Sequence, residues 1–116
     1  MLQDLFREAT SVIENREVAR GIFVTTFLSP QIARAVTPGQ FVEMAPLHPS
    51  SILNRPMAVY DVDVEKGVVS VGYHVIGANT RLYGELKEGD ALTLTGPYGS
   101  RYPFDLSFDR YVLVGG

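Results

Sequence analysis

Two neighbouring segments in the middle of the chain alternate between apolar and polar side chains. In the first, residues 57–64, valines alternate with aspartates, and the second, residues 68–76, is rich in β-branched side chains. Alternation with a period of two is typical of strands that bury one face. Because only Glu65-Lys66-Gly67 separates the segments, the pattern predicts a β-hairpin with one side on a core.

Turn-forming residues divide the rest of the chain into further short segments. The β-branched and aromatic run over residues 20–29 predicts a strand that Pro30 ends. The opening run, residues 2–9, fits either a helical turn or the lead into a strand. The remaining expected elements are strands over 40–44, 91–95 and 111–114, a helical turn over 31–36, a short helix over 81–86, and loops over 45–54 and 96–99.

These elements and the frequency of turn residues predict an all-β fold class. The 116 residues include 11 glycines and 7 prolines, and 46% of the residues are hydrophobic. Six or seven short strands with one inserted helix predict a small antiparallel barrel or sandwich. The length fits one domain with its own core, and the two final glycines indicate that the chain stops just after a buried-looking strand.

Charge and composition exclude several classes of function. With 10 basic and 13 acidic residues the net charge is −3, and the basic side chains are scattered singly, which argues against a nucleic-acid surface. The absence of cysteine excludes zinc-thiolate, iron–sulfur and thiol chemistry from these residues. No run approaches the roughly 18 apolar residues of a membrane helix. The amino terminus does not resemble a signal peptide, so we expect a cytoplasmic protein that binds no membrane.

Two short motifs carry candidate anion-binding chemistry. Arg55-Pro56-Met57-Ala58 places a guanidinium at the mouth of a strand, and the planar fork of arginine can donate two parallel hydrogen bonds to a diphosphate. Gly77-Ala78-Asn79-Thr80 precedes the expected short helix, whose first amides attract anions and to which the Thr80 hydroxyl adds a donor. Each motif alone is more often structural, as a surface arginine or a helix N-cap.

The other polar groups fit ordinary structural roles. Tyr73 and His74 are adjacent on one strand and must point to opposite sides, so one can contact a ligand while the other packs. Gly96-Pro97-Tyr98-Gly99 fits a plain turn, and Asp61 with Asp63 fits a solvated strand edge rather than an acid–base pair. The sequence contains no catalytic triad and no spacing of metal ligands.

Several motifs follow one another in a defined order along the chain. They are Pro38-Gly39-Gln40-Phe41-Val42, Arg55-Pro56, Gly72-Tyr73-His74-Val75, Gly77-Ala78-Asn79-Thr80, Gly89-Asp90, Gly96-Pro97-Tyr98-Gly99, Tyr102-Pro103-Phe104 and Val112-Leu113-Val114-Gly115-Gly116. No single motif is specific, but the ordered set resembles the FAD-binding barrel of the ferredoxin reductase superfamily. Within it, the chain most resembles the electron-transfer subunits of NAD-linked dihydroorotate dehydrogenases. The resemblance covers nearly the whole chain.

The resemblance implies a six-stranded antiparallel Greek-key barrel with one short helix, spanning residues 1–114. Residues 115–116 are then the start of an NAD-binding domain whose remainder is missing. Arg55 is expected to contact the FAD diphosphate, and Asn79 and Thr80 match the phosphate-binding pair before the helix. The other cofactor contacts that it implies are Pro56, Met57 and Ala58 beside the isoalloxazine edge, and Gly72, Tyr73 and His74 at the ribityl and adenosine side.

Three of these positions depart from the pattern of the superfamily. Ala58 stands where serine or threonine is usual, which removes a hydroxyl near the redox-active ring nitrogen. Asn79 replaces a glycine, and asparagine tolerates positive backbone φ better than most residues. His74 replaces the usual arginine, so less permanent positive charge lies near the cofactor.

The function that the resemblance implies is that of an FAD-binding domain in an electron-transfer flavoprotein, a flavin-dependent oxidoreductase passing electrons between NAD(H) and a partner redox centre. The expected setting is pyrimidine biosynthesis, with a catalytic dehydrogenase subunit as partner in a hetero-oligomer. An iron–sulfur cluster and NAD bind only through the missing carboxy-terminal part, so the chain alone is expected to be inactive. The alternatives are a flavin subunit of an NAD(P)-linked ferredoxin reductase or soluble hydrogenase, and a non-enzymatic β-barrel binding module.

Overall fold

Six antiparallel strands form a closed barrel in the computed structural model, which describes residues 4–103 and 107–115. The strands are β1 (Phe6–Ala19), β2 (Ile22–Leu28), β3 (Phe41–Met44), β4 (Arg55–Asp63), β5 (Val68–His74) and β6 (Ala91–Tyr98), and the helices are α1 (Pro30–Ala35) and α2 (Ala78–Gly84). Around the barrel the strand order is β1-β2-β5-β4-β3-β6, and β6 pairs with β1 to close it. Within the described residues, no helix has the length and apolar character needed to cross a membrane.

The strand order is a Greek key. Strands β3, β4 and β5 follow one another as a meander, with β2 beside β5 and β6 beside β3, so that β1 completes the ring. Closure matters because an open sheet edge presents unpaired backbone groups, which a barrel pairs. The all-β six-stranded Greek-key barrel expected from the sequence is confirmed, with two short helices instead of one.

The interior of the barrel holds the hydrophobic core. Side chains that alternate inward along the strands are fully buried, among them Phe27, Val71 and Leu94. Each helix adds one large buried side chain to this core, Ile32 from α1 and Tyr83 from α2. Both short helices are therefore stabilised by the barrel core, since helices of this length are marginal alone.

The two helices lie at opposite ends of the barrel. Helix α1 follows β2, and its first residue, Pro30, lies against Gly67, just before β5 begins. Helix α2 follows the other end of β5 after the short connection 75–77. Because β4 and β5 run antiparallel, the α2 end of the barrel is also where β4 begins.

Asn15 of β1 ties helix α2 to the barrel wall. Its side-chain nitrogen donates to the carbonyl oxygens at the end of the helix, at 3.0 Å from Tyr83, 3.2 Å from Gly84 and 2.9 Å from Leu86. Its Oδ1 accepts a hydrogen bond of 2.7 Å from the Thr25 hydroxyl on β2. The last carbonyl groups of a helix lack partners within it, so Asn15 helps to satisfy the carbonyl groups at and just after the end of α2 and links that end to β1.

Strand β1 differs most from the sequence-based expectation. Of the two alternatives for residues 2–9, the lead into a strand is the one observed, but no strand is predicted beyond residue 9, whereas the structure shows one 14-residue strand, Phe6–Ala19. Residues 2 and 3 lie outside the described residues. The second half of β1 is largely exposed, and register shifts interrupt its pairing with β2. Without a buried face, the second half shows no alternation of apolar and polar residues.

Three smaller expectations are also wrong. Residues 96–98 are expected to form a loop, but strand β6 continues through them. A register shift between Phe41 and Glu43 of β3 accommodates one additional residue of β6, so the pairing of the two strands extends to Tyr98. Residues 111–114 are exposed and form no strand, since no strand of the described chain pairs with them. Helix α2 spans Ala78–Gly84 rather than residues 81–86, and the Thr80 hydroxyl, which accepts from the Gly77 backbone N–H, stabilises its earlier start.

Removing the Phe27 ring should reveal how strongly the barrel depends on its core. Phe27 is 0% exposed, so Phe27→Ala is expected to lower the free energy of unfolding by about 3–5 kcal/mol. The next residue, Leu28, points outward and is 41% exposed, so the control Leu28→Ala should cost no more than about 1 kcal/mol. Urea unfolding followed by circular dichroism measures both losses. Equal losses would contradict the inward orientation of Phe27.

Candidate cofactor site

Three of the residues expected to bind a cofactor, Arg55, Asn79 and Thr80, come together at the α2 end of the barrel. Arg55 is the first residue of β4 and pairs with Met44, the last residue of β3. The loop 45–54 connects these two strands and leads directly into Arg55. Helix α2 reaches the same place from the end of β5, so the topology brings the two candidate anion-binding motifs together.

The Arg55 side chain is held by the loop that precedes it. Its Nη1 donates a hydrogen bond of 3.0 Å to the Leu53 carbonyl oxygen, and its Nη2 donates to Ser51 Oγ at 3.4 Å. The residue is partly exposed. A guanidinium carries five N–H donors and a permanent charge, so these two contacts orient Arg55 while further donors remain for an anion.

Asn79 is directed into the 45–54 loop. Its side-chain Oδ1 accepts hydrogen bonds from the backbone N–H groups of Leu47, at 2.8 Å, and His48, at 2.9 Å. Its Nδ2 donates to Ser51 Oγ at 2.8 Å, and the residue is only 5% exposed. The Asn79 amide is therefore engaged within the chain rather than directed toward solvent.

The Thr80 hydroxyl is engaged at the start of α2. Its Oγ1 accepts hydrogen bonds of 2.9 Å from the backbone N–H groups of Ile76 and Gly77. It donates its own hydrogen to the Gly77 carbonyl oxygen at 3.1 Å. In this arrangement Thr80 fixes the turn before the helix, and donation to a phosphate requires the hydroxyl to leave Gly77.

The outer face of β4 and β5 lies beside Arg55 and carries Ala58 and Gly72, residues with little or no side chain. Pro56, Ala58 and His74 are exposed there, and Gly72, which pairs with Ala58, is partly buried. The Tyr60 side chain borders this surface, with its Cδ2 only 3.8 Å from the position that a Gly72 Cβ would occupy. The small side chain of Ala58 and the absence of one at Gly72 let a flat ring system approach the backbone closely.

Met57 and Tyr73, the other two expected contact residues, point into the core. They are 8% and 7% exposed. The Tyr73 hydroxyl shares a 2.9 Å hydrogen bond with Thr25 Oγ1, and its ring stacks on Phe23 with centroids 6.1 Å apart. Burial raises the pKa of Tyr73, partly offset by its hydrogen bonding to Thr25. Contacts from residues 57 and 73 to a ligand outside the barrel can therefore come only from the backbone.

Two residues of this site, Ser51 and Tyr83, are missed by the sequence analysis. Ser51 Oγ lies between Asn79 and Arg55, yet the sequence shows only one of two serines in a proline-containing loop. Tyr83 donates a 2.7 Å hydrogen bond to the Ala45 carbonyl oxygen and is fully buried. Burial raises the pKa of Tyr83 to about 12, although the nearby Arg55 charge lowers it. Among the described residues, no cluster of acidic, histidine or cysteine side chains is placed to hold a metal ion.

The barrel has the fold of ferredoxin reductase-like proteins. A solved structure of an NADH-dependent reduced ferredoxin–NADP oxidoreductase matches it with a TM-score of 0.72 and 28% identity, over 79% of this chain and 33% of that protein. Phthalate dioxygenase reductase matches with a TM-score of 0.63 and 17% identity, over 86% of this chain and 32% of its own. The second likeness concerns the fold alone. The fold that the sequence resemblance implies is confirmed.

In sequence, the chain is homologous to electron transfer subunits of dihydroorotate dehydrogenase B (NAD(+)). It is 37% identical to that subunit from Clostridium acetobutylicum over 105 residues, 90% of this chain. It is 29% identical to the subunit from Streptococcus mutans over 116 residues, 97% of this chain. The chain spans 41–44% of the length of these curated relatives, and it matches no protein-family model. These relatives confirm the resemblance seen in the motifs.

The Tyr83 hydroxyl should make the protein less stable at alkaline pH. Its pKa is raised from 10.0 to about 12 in the folded chain. The resulting stabilisation is complete below pH 10, because the hydroxyl is then neutral in both states. It is lost as the pH rises toward 12, with a loss on the order of 2 kcal/mol.

Tyr83→Phe tests this prediction by removing the ionising hydroxyl. Urea unfolding between pH 9 and pH 12 should show a smaller alkaline loss of stability in this variant than in the wild type. Tyr60→Phe, at a side chain that is 63% exposed, controls for the removal of a tyrosine hydroxyl and should retain the wild-type profile. An unchanged profile in Tyr83→Phe would show that the Tyr83 hydroxyl is not the buried group described here.

Proposed function

We propose that this chain binds FAD and forms the flavin-binding barrel of an electron-transfer subunit of an NAD-linked dihydroorotate dehydrogenase. One observation carries the proposal: Arg55, held by hydrogen bonds to the preceding loop, lies at the end of the barrel beside the outer face of β4 and β5, where Ala58 pairs with Gly72. The two features suit the two parts of the cofactor, its diphosphate and its flat ring system. The homology to dihydroorotate dehydrogenase B subunits supports the same assignment.

Arg55 is the residue proposed to hold the FAD diphosphate. Its contacts to Leu53 and Ser51 leave further guanidinium donors. Hydrogen bonds from a charged donor to phosphate are stronger than those between neutral groups. Thr80 and Asn79 remain candidates for this role, but their side chains already bond to the backbone or to Ser51, so we propose that they contribute mainly through the shape of the site.

The outer surface of β4 and β5 is proposed to lie against the isoalloxazine and ribityl parts of FAD. Pro56, Ala58, Gly72 and His74 would contact it, with Met57 and Tyr73 contributing backbone groups. When bound, FAD supplies the redox chemistry, and the protein binds, orients and tunes it. Ala58 has no hydroxyl, so its side chain can exclude water from the ring but cannot donate a hydrogen bond to it.

The wider assignment concerns the complete protein. We propose that it passes electrons between NAD(H) and a catalytic dehydrogenase subunit in a hetero-oligomer of pyrimidine biosynthesis, in the cytoplasm. NAD and an iron–sulfur cluster would bind to a part beyond this barrel, with the NAD-binding domain beginning at residues 115–116. The barrel alone would then lack a nicotinamide site and would be inactive with NADH.

A second candidate is the flavin barrel of an NAD(P)-linked ferredoxin reductase or a soluble hydrogenase. The structural match to the NADH-dependent reduced ferredoxin–NADP oxidoreductase, at 28% identity, favours it specifically. The two candidates share the FAD site and differ in the electron partner. A dihydroorotate dehydrogenase catalytic subunit that co-purifies with the complete protein would support the first candidate, and reduction of ferredoxin without that subunit would support the second.

Arg55→Ala should weaken FAD binding by about tenfold or more, because a charge-assisted hydrogen bond to phosphate is lost. Arg55→Lys keeps the charge but not the planar fork, and should lie between the wild type and alanine. Arg34, in the last turn of α1 at the other end of the barrel, is exposed, so Arg34→Ala is the control and should bind FAD as the wild type does.

FAD affinity is measured by flavin fluorescence in the 116-residue chain. It is also measured in a fusion of this chain to the part of the Clostridium acetobutylicum relative beyond its match, where tighter binding is expected. A fusion that stays colourless and takes up no FAD would exclude the flavin function. FAD binding that is insensitive to Arg55→Ala would instead show that Arg55 is not the diphosphate ligand.

A further inference from the structure

We infer that Asn79 is a positioning residue, which holds the 45–54 loop in the one arrangement that presents Arg55 to an anion. The inference rests on the proposed function, because the anion is taken to be the FAD diphosphate. It differs from the sequence-based expectation, in which Asn79 itself contacts the phosphate. The two roles can be distinguished by experiment. If Asn79 acts by positioning Arg55, removing Asn79 reduces the effect of Arg55→Ala on FAD affinity, whereas two independent phosphate ligands give effects that multiply.

A continuous chain of hydrogen bonds joins Asn79 to Arg55. Asn79 Nδ2 donates to Ser51 Oγ at 2.8 Å, and the same oxygen accepts from Arg55 Nη2 at 3.4 Å. Arg55 Nη1 is bound at 3.0 Å to the carbonyl oxygen of Leu53, in the same loop. The guanidinium orientation therefore depends on the position of the loop, and Ser51 connects that position to helix α2.

Asn79 also binds the loop backbone at two residues that precede Ser51 in the chain. Its Oδ1 accepts from two successive backbone amides, Leu47 at 2.8 Å and His48 at 2.9 Å. The residue is 5% exposed, so these bonds are shielded from competing water. The buried Asn79 side chain thus forms hydrogen bonds with two backbone amides and one hydroxyl of the loop. Because another arrangement of the loop would leave these buried groups without partners, the bonds favour a single arrangement.

Few other contacts hold the rest of the 45–54 loop. Its remaining hydrogen bonds include local ones, from Ser51 N to the His48 carbonyl oxygen and from Ser50 to the His48 ring. The Leu47 side chain packs against the core, whereas Ile52 and Leu53 are 89% and 68% exposed. The segment that directly precedes Arg55 therefore depends on Ser51 and Asn79 for its attachment.

The opposite end of the loop is held independently. Tyr83 of the same helix donates to the Ala45 carbonyl oxygen at 2.7 Å, and Ala45 N donates to the Thr93 carbonyl oxygen of β6 at 3.0 Å. Losing the Asn79 amide should therefore free the middle of the loop and Arg55 while the loop start stays attached. The predicted defect is local, which separates it from general unfolding.

A double-mutant cycle on FAD affinity tests the inference in the chain and in the fusion described above. In the wild type, Arg55→Ala should weaken FAD binding by about tenfold or more. Asn79→Ala alone should weaken it by about five- to tenfold, because Arg55 is no longer positioned. On the Asn79→Ala background, Arg55→Ala should cost less than about threefold more.

Asn15→Ala is the matched control. It also removes an asparagine amide that bonds to α2 and its following residues, but at the other end of the helix. It should lower stability without touching the 45–54 loop, so Arg55→Ala should keep its full effect on that background. Ser51→Ala provides a milder second variant, and it should reduce the effect of Arg55→Ala while leaving the Asn79 bonds to Leu47 and His48 intact.

Amide hydrogen exchange gives a readout that needs no cofactor. In Asn79→Ala the Leu47 and His48 amides should exchange at least about tenfold faster relative to the Val71 amide in the core. In Asn15→Ala and Ser51→Ala this ratio should stay at the wild-type value. Unchanged Leu47 and His48 protection in Asn79→Ala would overturn the inference.

The outcomes separate the two proposals. If the wild-type fusion binds no FAD, the proposed function fails, and hydrogen exchange alone decides whether Asn79 holds the loop. If FAD binds but the effects of Asn79→Ala and Arg55→Ala multiply independently, Asn79 is not a positioning residue for Arg55 and the inference fails alone. The inference is supported if Arg55→Ala keeps its full effect on the wild-type and Asn15→Ala backgrounds and loses part of it on the Ser51→Ala background and most of it on the Asn79→Ala background.

Discussion

The burial of Tyr83, which fixes helix α2 in the barrel core, is the interaction on which the candidate site depends. A helix of seven residues has little stability alone. The Tyr83 ring packs in the core and its hydroxyl donates to the Ala45 carbonyl oxygen at 2.7 Å, while the Asn15 amide adds hydrogen bonds at the carboxyl-terminal end of the helix. With that end fixed, the first turn can serve as a support for the 45–54 loop, and through the loop for Arg55. The core thus fixes helix α2, the helix holds the 45–54 loop, and the loop orients Arg55 at the surface.

Much of the barrel could be predicted because its hairpin strands bury one face. The alternation in residues 57–64 and the β-branched run in residues 68–76 correspond to β4 and β5, and Val69 and Val71 are fully buried as that pattern requires. Beyond residue 9, strand β1 escaped prediction for the converse reason. Its second half is exposed and its pairing with β2 is irregular, so neither hydrophobicity nor period marks it as a strand.

The site was predictable at the level of motifs but not of side-chain roles. Adjacent residues on a strand point to opposite sides, so sequence left open which of Tyr73 and His74 faces outward, and burial of Tyr73 resolves it. The partners of Asn79 lie on a loop 28 to 32 residues earlier in the chain. Contacts of that kind follow from tertiary packing alone, and a Ser51 hydroxyl that joins two other side chains leaves no local sequence signal.

A chain with a net charge of −3 is a poor general attractor for a cofactor that carries a diphosphate. At the proposed FAD site, His74 stands where the superfamily resemblance implies an arginine, so this barrel would place less permanent positive charge near the cofactor. Affinity for a diphosphate can also be raised without adding positive charge, by holding one cationic side chain in its binding orientation. A side chain held in this way loses less conformational entropy on binding. The hydrogen bonds of Arg55 to Leu53 and Ser51 provide that placement. In the proposed site, Asn79 would contribute to that placement through Ser51, which accepts hydrogen bonds from both Asn79 and Arg55.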